Sequence, residues 1–268
     1  MLLVKSNNEV LDNFIDLMVN VRPELNKIEC KQNIKHLVRY YQGKQIDNPL
    51  IDLETRWFNS LDDQQPDYTI YADETYFMEV WACWEIYSRQ YLKAIHKNSN
   101  EFVDIKTVLD LGCGVGLSTA SLSEIFPTAK VIGTQLNQSE QWLICEQLTY
   151  KYNFDLREHS LDLGQQDLIF ASEYFEHFER PIEHLLDILH YNTPKMLLIA
   201  NSFGTVGIGH FKVYKHLDEL IDWKIMSKRF NKVMRDNNYR LSSTLHFWNN
   251  RPAVWVKIPN KPTLDSFL

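Results

Sequence analysis

Val108-Leu-Asp-Leu-Gly-Cys-Gly-Val-Gly-Leu-Ser-Thr119 is the stretch on which the reading of this chain turns. The short apolar run Thr107–Leu111 leads into Gly112, Gly114 and Gly116, and a helical pattern opens just beyond them at Leu117. Such a run predicts a buried strand. The glycines after it permit a tight turn and leave bare backbone for a ligand at the N-terminus of the next helix. In open α/β sheets ligands bind in that crevice, outside the carboxyl ends of the strands. The spacing is GxGxG. A dinucleotide fingerprint, GxGxxG, needs a glycine where this chain has Leu117, which argues against a nicotinamide or flavin dehydrogenase. Asp110, two residues before the first glycine, has two open roles: it meets the loop amides or a cationic ligand end, or it holds the loop in place from the end of the strand.

Working outward, Lys130–Thr134, Asp167–Ser172 and Lys195–Ala200 read as further buried strands. Leu117–Phe126 (stopped by Pro127), Glu140–Tyr150 and Ile182–His190 read as the helices between them. Alternating β and α elements predict an α/β fold: a doubly wound, mostly parallel sheet covered on both faces. Leu241–Phe247 and Ala253–Ile258 would close it as a terminal antiparallel hairpin. Upstream the texture is helical. Leu11, Phe14, Ile15 and Met18 recur at helix spacing, as do Ile34, Leu37, Val38 and Tyr41. A looser stretch broken by Gly43, Pro49 and Pro66 follows. Asp73 then caps a predicted helix with Phe77, Val80, Trp84, Tyr87, Tyr91 and Ile95 along it, a stripe that suits core packing better than a cofactor site. The expected division is a helical N-terminal cap over 1–100 and a Rossmann-like domain over 101–268.

Composition agrees. Of 268 residues, 44% are hydrophobic and 24% charged, which excludes disorder and fibrous repeats as the main state. The net charge of −7 argues against a general nucleic-acid binder. From Lys195 to Lys261, however, 12 Lys and Arg face 4 Asp and Glu, a local +8 that suits either a solvated basic face or an anionic substrate. Cys30, Cys83, Cys113 and Cys145 lack CxxC or Cys/His metal spacing, so free thiols and no metal are expected. The opening MLLVKSNNEV has too short an apolar run for a signal peptide, and no run reaches membrane-span length. A cytoplasmic, soluble protein is the expectation.

VLDLGCGVG resembles motif I of the class I S-adenosylmethionine-dependent methyltransferases. The resemblance extends from about residue 105 to 258. VIGTQLN (131–137) stands where the second strand and its terminal acid would be, Asp167–Ile169 at the fourth strand, SEYFEHFERP (172–181) just after it, and Asn238-Tyr239 at the entry to the hairpin. The family implies S-adenosyl-L-methionine as cofactor and S-adenosyl-L-homocysteine as product. It places Gly112, Cys113, Gly114 and Gly116 under the methionine part of the cofactor, with Asp110 helping to hold its amino group. Leu161 and Asp162 are the candidates for adenine, with Asp162 equally suited to forming a turn. Ser172 and Glu173 stand beside the sulfonium. One departure is plain: the acid that takes both ribose hydroxyls is replaced by Gln135, followed by Leu136. A Gln can still accept one hydroxyl, but the charged acceptor is lost.

Methyl transfer from a sulfonium is an in-line displacement in which positioning supplies much of the rate. A base is needed only if the acceptor must lose a proton. His210, in Gly207-Ile-Gly-His-Phe-Lys-Val-Tyr214, is the leading candidate base, with His177 and Glu173 as further catalytic candidates. Tyr71 and Tyr76 are expected to roof the cofactor from the cap. Trp81, Lys212, Tyr214 and Arg251 are expected at the acceptor. Ser172-Glu-Tyr-Phe175 lacks the Asn/Asp-Pro-Pro-aromatic signature of nucleic-acid amino methylation, and no Pro-Cys nucleophile is present. A small-molecule acceptor is therefore the leading expectation, with no membrane partner. The alternatives are a nucleotide or RNA acceptor held by Lys212, Lys215, Lys228, Arg229 and Arg251, or a non-catalytic protein in which Gln135 marks a changed ligand.

Overall fold

The computed structural model describes residues 2, 3, 5–137, 139–158, 163–242 and 252–259. Among the described residues nine strands run β1 (Thr107–Asp110), β2 (Lys130–Gln135), β3 (Asp155–Glu158), β4 (Leu168–Ser172), β5 (Met196–Ala200), β6 (Tyr214–His216), β7 (Glu219–Ile221), β8 (Tyr239–Leu241) and β9 (Ala253–Lys257). Seven of them form one sheet in the order β3-β2-β1-β4-β5-β9-β8. The first five are parallel, and β9 enters antiparallel between β5 and β8. Strand order reverses between β1 and β4, where Asp110 is in register with Phe170, so the crevice for a ligand opens at their carboxyl ends. Leu168–Ala171 and Leu197–Ala200 are buried throughout, as strands covered on both faces require.

The covering helices are α6 (Leu117–Ile125), α7 (Glu140–Thr149), α8 (Pro181–Asn192) and α9 (Trp223–Asp236). α9 buries Met226, Phe230 and Met234, an i, i+4, i+8 stripe that the reading above passed over. Of the expected first hairpin strand at Leu241–Phe247, the described part is β8, which begins earlier, at Tyr239; positions 243–247 lie outside the described residues.

The N-terminal region is helical: α1 (Asn7–Val21), α2 (Lys27–Tyr41), α3 (Ile51–Asp62), α4 (Glu74–Cys83) and α5 (Arg89–Lys97). Its apolar side chains join those of the sheet in one continuous core. α3 occupies the stretch expected to be loose, between Pro49 and Pro66. It buries only Leu53 and Trp57, too few apolar positions to show a period. Asp73 caps α4 as expected, its carboxylate accepting from Thr75 N at 2.9 Å. The predicted long helix is nevertheless broken in character, because Trp84–Ser88 form a π-turn between α4 and α5. The wider turn re-aims the residues after it, a feature often found at functional sites.

Candidate active site

The glycine loop takes its shape from both neighbouring strands. Leu111 N donates to Phe170 O of β4, and Cys113 N donates to Thr134 O of β2, each at 2.9 Å. Gly112, Gly114 and Gly116 all have positive φ, +61°, +55° and +85°. At Gly112 a Cβ would fall 2.6 Å from the Tyr174 ring, and at Gly116 2.5 Å from Cys145 Sγ. The two positions do different work. Gly112 and Gly114 line a cavity, whereas Gly116 lets α6 approach α7 and does not reach it. Asp110 is 2% exposed and accepts from Ser118 Oγ and Thr119 Oγ1 of α6, both at 2.6 Å. The hydroxyls thus tie β1 to the helix that follows, which satisfies the loop-holding role. Burial raises the Asp110 carboxyl to about 6, with the two hydroxyls opposing the shift.

Gln135 ends β2 with its amide turned onto the loop. Its Nε2 donates to Gly114 O at 3.1 Å and to Gln141 Oε1 at 3.2 Å, while its Oε1 accepts from Leu136 N at 2.8 Å. Gln141, on α7, in turn donates to Tyr71 O at 3.3 Å. A carboxylate at position 135 cannot donate, so this chain of bonds requires the amide.

The cavity measures about 730 Å³, within the range of small-molecule sites. One wall is the glycine loop with Asp110, Cys113, Gln135 and Leu136. The facing wall comes from the cap: Tyr71, and then Tyr76, Glu79, Val80 and Cys83 along one side of α4. The π-turn carries that side onward, bringing Tyr87 and Ser88 to the same space, and Ser88 Oγ lies 3.1 Å from Ser172 Oγ at the end of β4.

At the far end stand Glu173, His177 and His210. Glu173 holds φ +50° and accepts a short hydrogen bond from Ser202 Oγ. Glu176, fully buried behind it, accepts from Ser202 N at 2.7 Å. Burial, followed by the neighbouring Glu173 charge, pushes Glu176 well above the usual carboxylate range. His177 Nδ1 lies 3.1 Å from Tyr71 Oη, and its ring meets that of His210 edge-on at 4.9 Å. Burial lowers both imidazoles from their ordinary value, His177 strongly, with the His210 charge adding to its shift. His210 Nδ1 is 2.9 Å from Thr205 O, and a carbonyl only accepts, so Nδ1 carries the proton and Nε2 keeps its lone pair. Trp57 of α3 fixes this loop by donating from Nε1 to His210 O at 2.7 Å.

Three expected acceptor residues are elsewhere. Trp81 is 2% exposed and stacks on Phe14 inside the cap, on the side of α4 opposite the cavity. Tyr214 is buried and donates to Phe203 O at 3.3 Å. Lys212 sits outside the cavity over the Phe58 ring, 3.4 Å from Asp62. Of the remaining basic residues, Lys215 pairs with Glu179 and Arg229 with Glu219, each at 2.7 Å. Leu161, Asp162 and Arg251 lie outside the described residues. Sequence reasoning missed Tyr41, Glu79, Tyr87, Ser88 and Gln141. The signal for Glu79 was available: an acid in the middle of an otherwise apolar helical stripe. Among the described residues no group of three or more His, Cys, Asp or Glu could hold a metal, and no helix is long and apolar enough to cross a membrane.

Residues 109–194 match the family described as a methyltransferase domain. No curated protein matches the chain. Solved structures of similar fold include a Nostoc punctiforme PCC 73102 protein provisionally assigned as an O-methyltransferase, 13% identical over 76% of this chain and 68% of that one, with TM-score 0.50. Another is an O-methyltransferase family protein from Burkholderia thailandensis, 14% identical over 79% and 70%, also with TM-score 0.50. The glycine cradle, with no room for a Cβ at Gly112 and a cavity opening over Gly112 and Gly114, fits the expected nucleoside cofactor. Matched domain and strand order agree: residues 109–194 belong to a methyltransferase domain, set in a sheet of the order that the resemblance of the glycine motif to the class I enzymes implies.

Proposed function

We propose that this protein transfers a methyl group to a small-molecule acceptor held between the glycine loop and the cap. The observation that carries this reading is that one cavity joins the glycine loop to the Glu173–His177–His210 cluster, with α4 and the π-turn over it. When bound, S-adenosyl-L-methionine supplies an activated methyl on a sulfonium. Gly112, Gly114 and the Gln135 amide are placed to cradle it, and Ser172 and Glu173 border the space beyond. The cap wall excludes water and limits acceptor size. His210, neutral and with Nε2 unprotonated, is the candidate to take a proton from an acceptor hydroxyl or ammonium.

The nucleotide or RNA alternative gains no support from the site. Among the described residues the cavity lining contains no Lys or Arg, and Lys212, Lys215 and Arg229 are ion-paired outside it. Calorimetric titration with S-adenosyl-L-methionine and S-adenosyl-L-homocysteine, with NAD as control, tests the first half of the proposal. Micromolar binding of the first two alone is expected. Transfer of labelled methyl to a small-molecule panel but not to RNA tests the second half. A folded protein that binds neither cofactor form defeats the reading.

A further inference from the structure

The cap wall carries a carboxylate whose hydrogen bonding is half complete. Glu79 is 8% exposed and faces the cavity from the middle of α4. Its Oε1 accepts from Tyr41 Oη of α2. Its Oε2 is buried and has no hydrogen-bond partner among the described residues. A buried carboxylate oxygen left bare costs more than most polar groups, and this one belongs to a side chain that borders the cavity.

The surroundings define the charge of what completes it. The cavity is bordered by three further acids, Asp110, Glu173 and Glu179, the last of them paired with Lys215, and by no Lys or Arg among the described residues. An anionic acceptor would add a like charge in a low-dielectric site, and a neutral donor would satisfy Oε2 without offsetting its charge. A cationic donor satisfies the oxygen and offsets the charge. Tyr41, Tyr76 and Tyr87 border the same space, and tyrosine rings attract ammonium groups through their faces. We propose that the acceptor carries a cationic amine and that Glu79 is the carboxylate that recognises it, with the tyrosine rings around it. This inference rests on the methyltransferase reading and names its substrate class. It concerns recognition and leaves the methylated atom to be any nucleophile of the same molecule.

The test uses the full chain loaded with S-adenosyl-L-homocysteine and three probes of similar shape: phenethylamine, 2-phenylethanol and 3-phenylpropanoate. Calorimetry should give phenethylamine an affinity about tenfold or more above 2-phenylethanol, as a desolvated charge pair with aromatic contacts implies, and no binding of the carboxylate. Glu79→Gln, which keeps the shape and can still accept from Tyr41, should bring amine and alcohol to within about twofold of each other. Its affinity for S-adenosyl-L-homocysteine shows that the variant is folded. If that variant resists folding, Tyr41→Phe in its place should also alter the amine preference. Equal affinity for amine and alcohol in the native protein overturns the proposal, as does no amine binding at millimolar concentration. So does a Glu79→Gln variant that keeps the amine preference but binds S-adenosyl-L-homocysteine weakly, since Glu79 would then serve the cofactor. Failure of the native protein to bind S-adenosyl-L-homocysteine is a separate result that removes the parent reading.

Discussion

The two walls of the cavity meet the same space with different chemistry. The glycine-loop wall presents backbone and the absence of side chains: positive φ at Gly112 and Gly114, amides tied to β2 and β4, and an inward-turned Gln135. The cap wall presents side chains from one helix face, Tyr76, Glu79 and Cys83, continued by Tyr87 and Ser88 through the π-turn. Backbone geometry is demanding, since few residue types tolerate it, so it leaves a motif. A helix face tolerates many residues and can be rewritten for a new acceptor without disturbing the cradle. The walls should therefore respond to substitution in separable ways: the loop through cofactor affinity, the cap through acceptor choice.

The largest effect is expected on the loop side. Gly112→Val places a branched side chain at φ +61° and drives its Cβ to within 2.6 Å of the Tyr174 ring, a buried side chain with little room to retreat. Affinity for S-adenosyl-L-homocysteine should fall by about a hundredfold or more, and stability by about 2–4 kcal/mol. Calorimetry and urea unfolding check both. A variant with native cofactor affinity would show that the loop is not the cradle.

On the cap side, Glu79 changes stability with pH. Burial raises its carboxyl from 4.5 to about 7, with Glu54 adding and the Tyr41 hydrogen bond opposing. Tyr41 comes from α2, Glu54 from α3, Tyr76 and Cys83 from α4, and Tyr71 from the segment before it; none of them is a cation. A carboxyl whose folded value is raised favours the native state while protonated, so its contribution is present below pH 4.5 and is lost as pH rises through 7. Glu79→Gln should match the native protein in acid and exceed it above pH 7 by roughly 3 kcal/mol, at 1.36 kcal/mol per pH unit. Urea unfolding at both pH values measures this. No gain at the higher pH would mean that Glu79 is already compensated.

His210 lies where the walls meet. With an acceptor in hand, His210→Gln should lower kcat by about a hundredfold while leaving S-adenosyl-L-homocysteine affinity within about twofold. Because burial lowers this imidazole below 6.5, its basic form dominates at neutral pH, and the native rate should be flat there and fall only in acid. A loss of only a few fold would mean that the acceptor sheds its proton without a base from the protein.

The difference between the walls also accounts for what was legible in the sequence. Buried strands announce themselves as apolar runs, and GxGxG between Leu111 and Leu117 located the loop and the sheet switch point. Gln135 was visible as a departure. Its partner Gln141 was not, since two amides meet only when β2 and α7 are folded together. Trp81 is expected at the acceptor alongside the roofing Tyr76, yet five residues along a helix turn it by about 500°, to another side. Glu79 was passed over inside what reads as a core stripe. Sequence period distinguishes a helix side that is covered from one that is wet, but both core and cavity count as covered.

The smallest effect, and the one that tests the junction of the walls, is at Gln135. Restoring the family's acid with Gln135→Glu supplies a charged acceptor for a ribose, which taken alone should tighten binding. It also sets carboxylate oxygens where Nε2 now donates to Gly114 O and Gln141 Oε1. Gln141 cannot turn over without giving up its bond to Tyr71 O, so the repulsion falls on the loop. The loss of two hydrogen bonds, at about 1 kcal/mol each, should outweigh the gain and weaken S-adenosyl-L-homocysteine binding by up to about tenfold. Combining it with Gln141→Lys, which can donate to the new carboxylate, should recover part of that loss. Tighter binding by Gln135→Glu alone would mean that the amide does not brace the loop, and that the cap and the glycine loop are coupled only through packing.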